Sequence, residues 1–156
     1  MIFLMTARNK TKLRKLWVWN DDESNFYESK IIGYSLHVCC GKSLVGDVRC
    51  DIDPQDEGVQ KADYRELPYS DLSFDTVICD PPWFSEDRFA QIHGSPSLKW
   101  ILELKRIAKK RIIIIHNTLF HIPQFSLTEA WAVNSKGLLW KVCGIYDRNT
   151  LPIADW

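Results

Sequence analysis

The pattern of apolar and polar positions is clearest after residue 30. IIGYSLHVCC predicts a strand that ends at Gly41, and DVRCDID alternates as a second, short strand. ADYRE is a candidate third strand and SFDTVICD a fourth. SPSLKWILELKRIAKK predicts a helix: Ser95 can cap it, Pro96 suits its first turn, and Leu98, Ile101, Leu102 and Ile107 fall near one face. RIIIIHN is short and continuously apolar, as a central parallel strand should be. TEAWAVNSKGLLWKVCGIYDRN predicts two strands around a turn at residues 134–137. Strands alternating with helical or loop crossovers, then a hairpin, imply an α/β sandwich with a mostly parallel sheet and a C-terminal antiparallel hairpin. Ligands of such sheets bind beyond the carboxyl ends of the strands. The pattern places Gly41, Asp51, Asp53, Asp63, Asp80 and Asn117 at or near those ends.

The first thirty residues follow no such pattern. Arg8, Lys10, Lys12, Arg14 and Lys15 form a basic run, followed by LWVWN and an acidic-polar stretch to Ser29. The chain therefore divides into a basic/polar N-terminal segment, 1–30, and one main domain, 31–156.

Composition removes several function classes. With 46% apolar and 26% charged residues the chain is globular rather than disordered. Its 20 Lys and Arg balance its 20 Asp and Glu, so net charge exerts no global pull toward nucleic acid or membrane. The apolar residues of MIFLMTARNKTKLRK precede the basic ones, the reverse of a secretory signal, and no run nears the ~20 apolar residues of a membrane span. The five cysteines, Cys39, Cys40, Cys50, Cys79 and Cys143, are odd in number and irregular in spacing. They read as core thiols of a reducing cytoplasm, and no ligand spacing for a metal is present.

The chemistry concentrates at SFDTVICDPPWFSE, where an apolar strand stops at Asp80-Pro81-Pro82-Trp83. An exocyclic amine on a base is a poor nucleophile because its lone pair is delocalised into the ring. A carboxylate accepting one N–H and a backbone carbonyl accepting the other draw the nitrogen toward tetrahedral geometry. Asp80 would be the first acceptor and the Pro81 carbonyl the second, with the prolines fixing the backbone. Trp83 offers a face to a planar base, a contact worth roughly 1–3 kcal/mol. A base in a duplex would have to be flipped out to reach it. Each residue also has a plainer reading: Asp80 as a strand end, Pro81-Pro82 as a loop start, Trp83 as core.

Asp80-Pro81-Pro82-Trp83 resembles the (D/N/S)PP(Y/F/W) motif of class I S-adenosylmethionine-dependent amino-methyltransferases, and DPPW is a form found among adenine-N6 DNA and RNA enzymes. LPYSDLSFDTVICDPPW resembles the family's run-up to that motif, HVCCGKS its glycine-containing cofactor loop, and RCDID the acidic end of its second strand. The resemblance spans residues 34–83. It implies a Rossmann-like methyltransferase sandwich in which 31–156 is the catalytic domain. It also implies S-adenosyl-L-methionine as cofactor and an exocyclic amine as acceptor: adenine N6 in DNA first, RNA second. The cofactor site would draw on His37, Cys39, Cys40, Gly41, Lys42, Asp51, Asp53 and Asp63. Asp51 or Asp53 would accept from the ribose hydroxyls, Asp51 preferred because Asp53 precedes Pro54 and suits a turn. Asp63 would accept from the cofactor's adenine amine, or else cap a turn.

Two features depart from the family. The loop has one glycine, with His37 where an acid is often found. Too few residues separate Gly41 from DVRCDID for a crossover helix, so the first crossover must be reduced to a turn. GKS lacks the earlier glycine of a phosphate-binding loop, which excludes nucleotide hydrolysis. On the target side the basic run could track a phosphate backbone or be a solvated helix face. Trp83, Phe84, Phe89 and His93 could line a target pocket, and His116 and Asn117 could wall it. No target-recognition domain is evident, so a partner subunit could supply one. Two rivals stand beside the enzyme: a non-catalytic methyltransferase-like nucleic-acid-binding subunit, and a protein amide methyltransferase, which usually carries Asn where Asp80 stands.

Overall fold

The computed structural model of the chain describes residues 2–6, 19–81, 99–134 and 140–150. Its elements are β1 (Ile2–Thr6), α1 (Asp21–Ser29), β2 (Ser35–Val38), β3 (Val48–Asp51), β4 (Gln60–Lys61), β5 (Phe74–Cys79), α2 (Lys99–Ile107), β6 (Ala108–His116), β7 (Phe125–Asn134) and β8 (Trp140–Arg148). The strands form one eight-stranded sheet in the order β1-β7-β8-β6-β5-β2-β3-β4. Every neighbouring pair is parallel except those of β8, which lies antiparallel between β6 and β7. The mostly parallel α/β sandwich expected from the pattern is the fold observed.

The continuous apolar run of β6 reflects burial on both faces. Ile112 and Ile114 join one core cluster with α2, through Ile101, Leu104 and Ile107. Ile113 and Ile115 join the opposite cluster with Trp19 and Tyr27 at the start of α1 and within it. Residues two apart share a face, so in β5 Ile78 belongs to the α1 side and Cys79 to the α2 side. Residues set apart by sequence as an N-terminal segment thus contribute β1 to the same sheet, and Trp19 and α1 to the same core.

Several elements differ from expectation. β2 is shorter than its apolar run because Gly33 (φ +65°) and Cys39 (φ +57°) flank it in the left-handed region. At Gly33 a Cβ would also collide with the Asp75 carboxylate, which accepts the Tyr34 N–H. The third strand falls on Gln60–Lys61 rather than ADYRE. Asp63 instead closes a turn, accepting from the Arg65 N–H and guanidinium, with only an isolated bridge to Glu66. The helix stops at Ile107 and passes directly into β6, and Arg148 donates to carbonyls at this junction, those of Lys105, Ala108 and Lys109. Leu102 is 55% exposed, and Leu104 takes the inward position. Ser95, Pro96, Leu98 and the centre of the 134–137 turn lie outside the described residues, as does the basic run.

The reduced first crossover is real: residues 39–47 turn back to β3 without a helix. The space beside β2 on that face is filled by Val45 and by Trp19, whose ring stacks on His37 at 4.5 Å.

Candidate active site

Register puts the carboxyl ends of β2, β3, β4, β5 and β6 along one rim, with Val38 beside Cys50 and Cys79, Asp51 beside Lys61, and Cys79 beside Ile114. Gly41, Asp51, Asp53, Asp63, Asp80 and Asn117 all follow or end these strands. The rim therefore gathers the residues that the sequence pattern distributed over 77 positions, from Gly41 to Asn117.

On the β2–β3 side, Gly41 (φ +52°) turns the loop so that its N–H donates to Asp51 Oδ2 at 2.9 Å. Asp51 Oδ1 accepts the Asp53 N–H at 3.0 Å. The loop ladder continues through Cys40 N–H to the Cys50 carbonyl at 3.2 Å. Lys42 is half-buried, and Ser43 Oγ accepts from the Val45 N–H. Asp53 is exposed and takes Gln55 Nε2, a turn arrangement. Asp63 is paired with Arg65 at 2.6 Å. Cys39 lies against Cys79, and that thiol contact together with burial raises its pKa. Burial pushes the Cys40 thiol up to about 12, and all five cysteines are free thiols.

His37 does not open onto the rim. It is fully buried, its Nδ1 bonds the Val45 carbonyl at 3.1 Å, and burial lowers its pKa to about 3. Gly46 (φ +96°) lets the returning loop pass His37, where a Cβ would sit 3.2 Å from the His37 Cβ.

Asp80 shares the α1 face with Ile78 and is 3% exposed. Its Oδ2 accepts the indole N–H of Trp19 at 2.8 Å. Lys141 Nζ, from β8, lies 3.7 Å from the same oxygen and 3.3 Å from Glu23 Oε1 on α1. Pro81 is buried beside it. Pro82 and Trp83 lie outside the described residues, as do Phe84, Phe89 and His93. On the opposite face His116 is buried against Phe120 (5.0 Å between rings) and near Trp100 (6.5 Å), while Asn117 is exposed. Among the described residues no group of His, Cys, Asp or Glu could hold a metal ion, and no helix is long and apolar enough to cross a membrane.

Sequence reasoning missed Trp19, Glu23 and Lys141. Two signals were present. In the first, Asn20-Asp21-Asp22-Glu23 is a capping box, in which Asn20 Oδ1 accepts the Glu23 N–H at 2.8 Å and Glu23 Oε2 accepts the Asn20 N–H at 3.3 Å. It marks a helix start one residue after Trp19. Lys141 carries a second signal, a cation at an inward position of an apolar strand.

No family model matches the chain, and no curated protein matches it. Solved structures do. Over 80% of its length the chain resembles Pyrococcus abyssi tRNA (uracil-54, C5)-methyltransferase in complex with S-adenosyl-L-homocysteine, at 15% identity and a TM-score of 0.57, covering 36% of that chain. Burkholderia thailandensis 1,6-didemethyltoxoflavin-N1-methyltransferase matches at 12% identity and 0.57, over 83% of this chain and 77% of that one. A SAM-dependent methyltransferase from Aquifex aeolicus matches at 15% and 0.51, over 82% and 90%. The likeness is one of fold: the chain has the Rossmann-like fold of S-adenosylmethionine-dependent methyltransferases.

Proposed function

We propose that the chain is an S-adenosylmethionine-dependent N-methyltransferase acting on an exocyclic amine, adenine N6 in DNA first and in RNA second. The observation that carries this is Asp80-Pro81 at the carboxyl end of β5, on the same rim as the Gly41 turn and the Asp51 carboxylate, in a sheet whose fold is that of S-adenosylmethionine-dependent methyltransferases.

The rim residues suit the cofactor. Each oxygen of Asp51 takes one backbone N–H, and a carboxylate offers about four acceptor positions, so the ribose hydroxyls find acceptors there. The Gly41 turn carries the backbone across the end of β2, where the methionine part would lie. When bound, the cofactor supplies an electrophilic methyl group on a sulfonium. The chain's own part is positioning: Asp80 and the Pro81 carbonyl accept the two amine hydrogens, directing the nitrogen lone pair along the line of transfer. The indole bond of Trp19 fixes the carboxylate and is compatible with a second acceptor bond. A nucleic-acid target fits the planar-ring face expected of Trp83, with a partner subunit as a source of target selection.

The test is transfer from labelled S-adenosylmethionine to DNA, RNA and protein in parallel. We expect label on one nucleic acid, reduced at least about 100-fold in Asp80→Ala, with S-adenosylhomocysteine binding retained. Unchanged transfer in that variant removes Asp80 from the reaction.

A second reading, a non-catalytic binding module of the same fold, is favoured by one observation: Asp80 is buried and already engaged by Trp19 and Lys141. Calorimetry separates the two. A folded chain that binds neither S-adenosylmethionine nor its demethylated product is the module.

A further inference from the structure

Three ionisable side chains from distant parts of the sequence lie buried together: Glu23 on α1 (1% exposed), Asp80 after β5 (3%) and Lys141 on β8 (6%). Holding such groups out of water carries a desolvation cost, and removing one member leaves its partners uncompensated in the core. The cluster's geometry shows what it fixes. The Lys141 ammonium stands between two carboxylates, 3.3 Å from Glu23 Oε1 and 3.7 Å from Asp80 Oδ2. Glu23 is itself immobilised, because its other oxygen closes the helix cap on Asn20. Trp19, adjacent to that cap, donates to the same Asp80 oxygen. Asp80 Oδ2 is thus gripped from two directions, by an indole and by an ammonium, and both grips are anchored at the start of α1.

We propose that Lys141, braced by Glu23, is a positioning residue that sets the orientation of the Asp80 carboxylate. This rests on the reading of Asp80 as the amine acceptor and extends the machinery to α1 and β8, elements outside the motif.

The Trp19 indole N–H resonance reports the carboxylate's position without any reference to activity. It is assigned in the full chain by loss in Trp19→Phe. We expect it to move in Lys141→Met and to return to the wild-type position in Lys141→Arg. Glu23→Gln, which keeps a capping side chain but removes its charge, should also shift it, and this variant decides the matter if Lys141→Met does not fold. A folded Lys141→Met or Glu23→Gln with an unmoved resonance overturns the proposal. In methyl transfer, Lys141→Met should lower kcat at least tenfold with little change in KM for S-adenosylmethionine, and Lys141→Arg should recover part of it. Wild-type kcat in Lys141→Met overturns the positioning role. If the wild-type chain binds neither S-adenosylmethionine nor S-adenosylhomocysteine yet the resonance responds as expected, the positioning stands and the transferase reading fails.

Discussion

Around β6, isoleucines at 112–115 are buried on both faces of the sheet, between α2 on one side and Trp19 and Tyr27 on the other. Around β3, a four-residue strand is clasped at its two ends by polar groups. Asp47 Oδ2 accepts from the Ser35 N–H (2.9 Å) and hydroxyl (2.7 Å), and Ser35 Oγ accepts the Asp47 N–H in return. At the other end Asp51 ties Gly41 and Asp53. The first half draws its stability from apolar burial on both faces. The second adds to the burial of Leu36, Val38 and Cys50 a set of single hydrogen bonds, each worth about 0.5–1.5 kcal/mol net.

The contrast can be broken most directly at its strong end. Ile113→Ala should cost roughly 2–5 kcal/mol in denaturant unfolding, and should speed hydrogen exchange throughout β5, β6 and β8. A loss below about 1 kcal/mol would mean that β6 is not the stabilising centre.

Next comes pH. His37 in the folded chain has its pKa lowered from 6.5 to about 3, chiefly by burial. Its contribution is therefore complete above 6.5 and is lost as pH falls toward the folded value, because the unfolded chain takes up a proton that the folded chain refuses. Stability should decline by about 1.4 kcal/mol per pH unit over that window. His37→Phe, which keeps a ring against Trp19, should flatten the decline, measured as urea midpoints from pH 7 to 4.

Asp51→Ala sharpens the weak end. It should cost about 1–3 kcal/mol, with faster exchange at the Gly41 and Asp53 amides and unchanged protection relative to global stability in β6. Gly33→Ala should cost at least about 1–2 kcal/mol in thermal unfolding, since a left-handed residue acquires a Cβ that must push Asp75 away from the Tyr34 N–H.

The same contrast governs what was legible in the sequence. Buried strands announce themselves: SFDTVICD and RIIIIHN needed only their apolar runs, and the aspartate and glycine at each strand end could be assigned to one rim from topology alone. The missing crossover helix was legible as a simple shortage of residues between Gly41 and Val48. Local turn chemistry was not. For Asp63 a strand end and a turn were equally open, and the bonds to Arg65 two residues on decide for the turn, with the strand at Gln60–Lys61. Leu102 and Leu104 are both leucines, and only packing decides which one turns inward. The Trp19–Asp80–Lys141–Glu23 cluster was hidden for a different reason. It joins positions up to 118 apart, and no local pattern carries that information.

Strand β8 has an implication for the order in which the molecule is made. β7 touches the rest of the sheet only through β8, and β1 touches it only through β7. While a chain is still being synthesised and has not passed residue 139, β7 and β1 have no route to join β6. They can pair with each other, and β7 can rest on α1 through Lys30–Glu129 and Phe26–Trp131, but the sheet stays open. Lys141 arrives on that same last strand, so Asp80 and Glu23 must wait for their shared cation until then. Closing the sheet and completing the charge cluster are a single late event, and a nascent chain shorter than this has a rim but not a finished site.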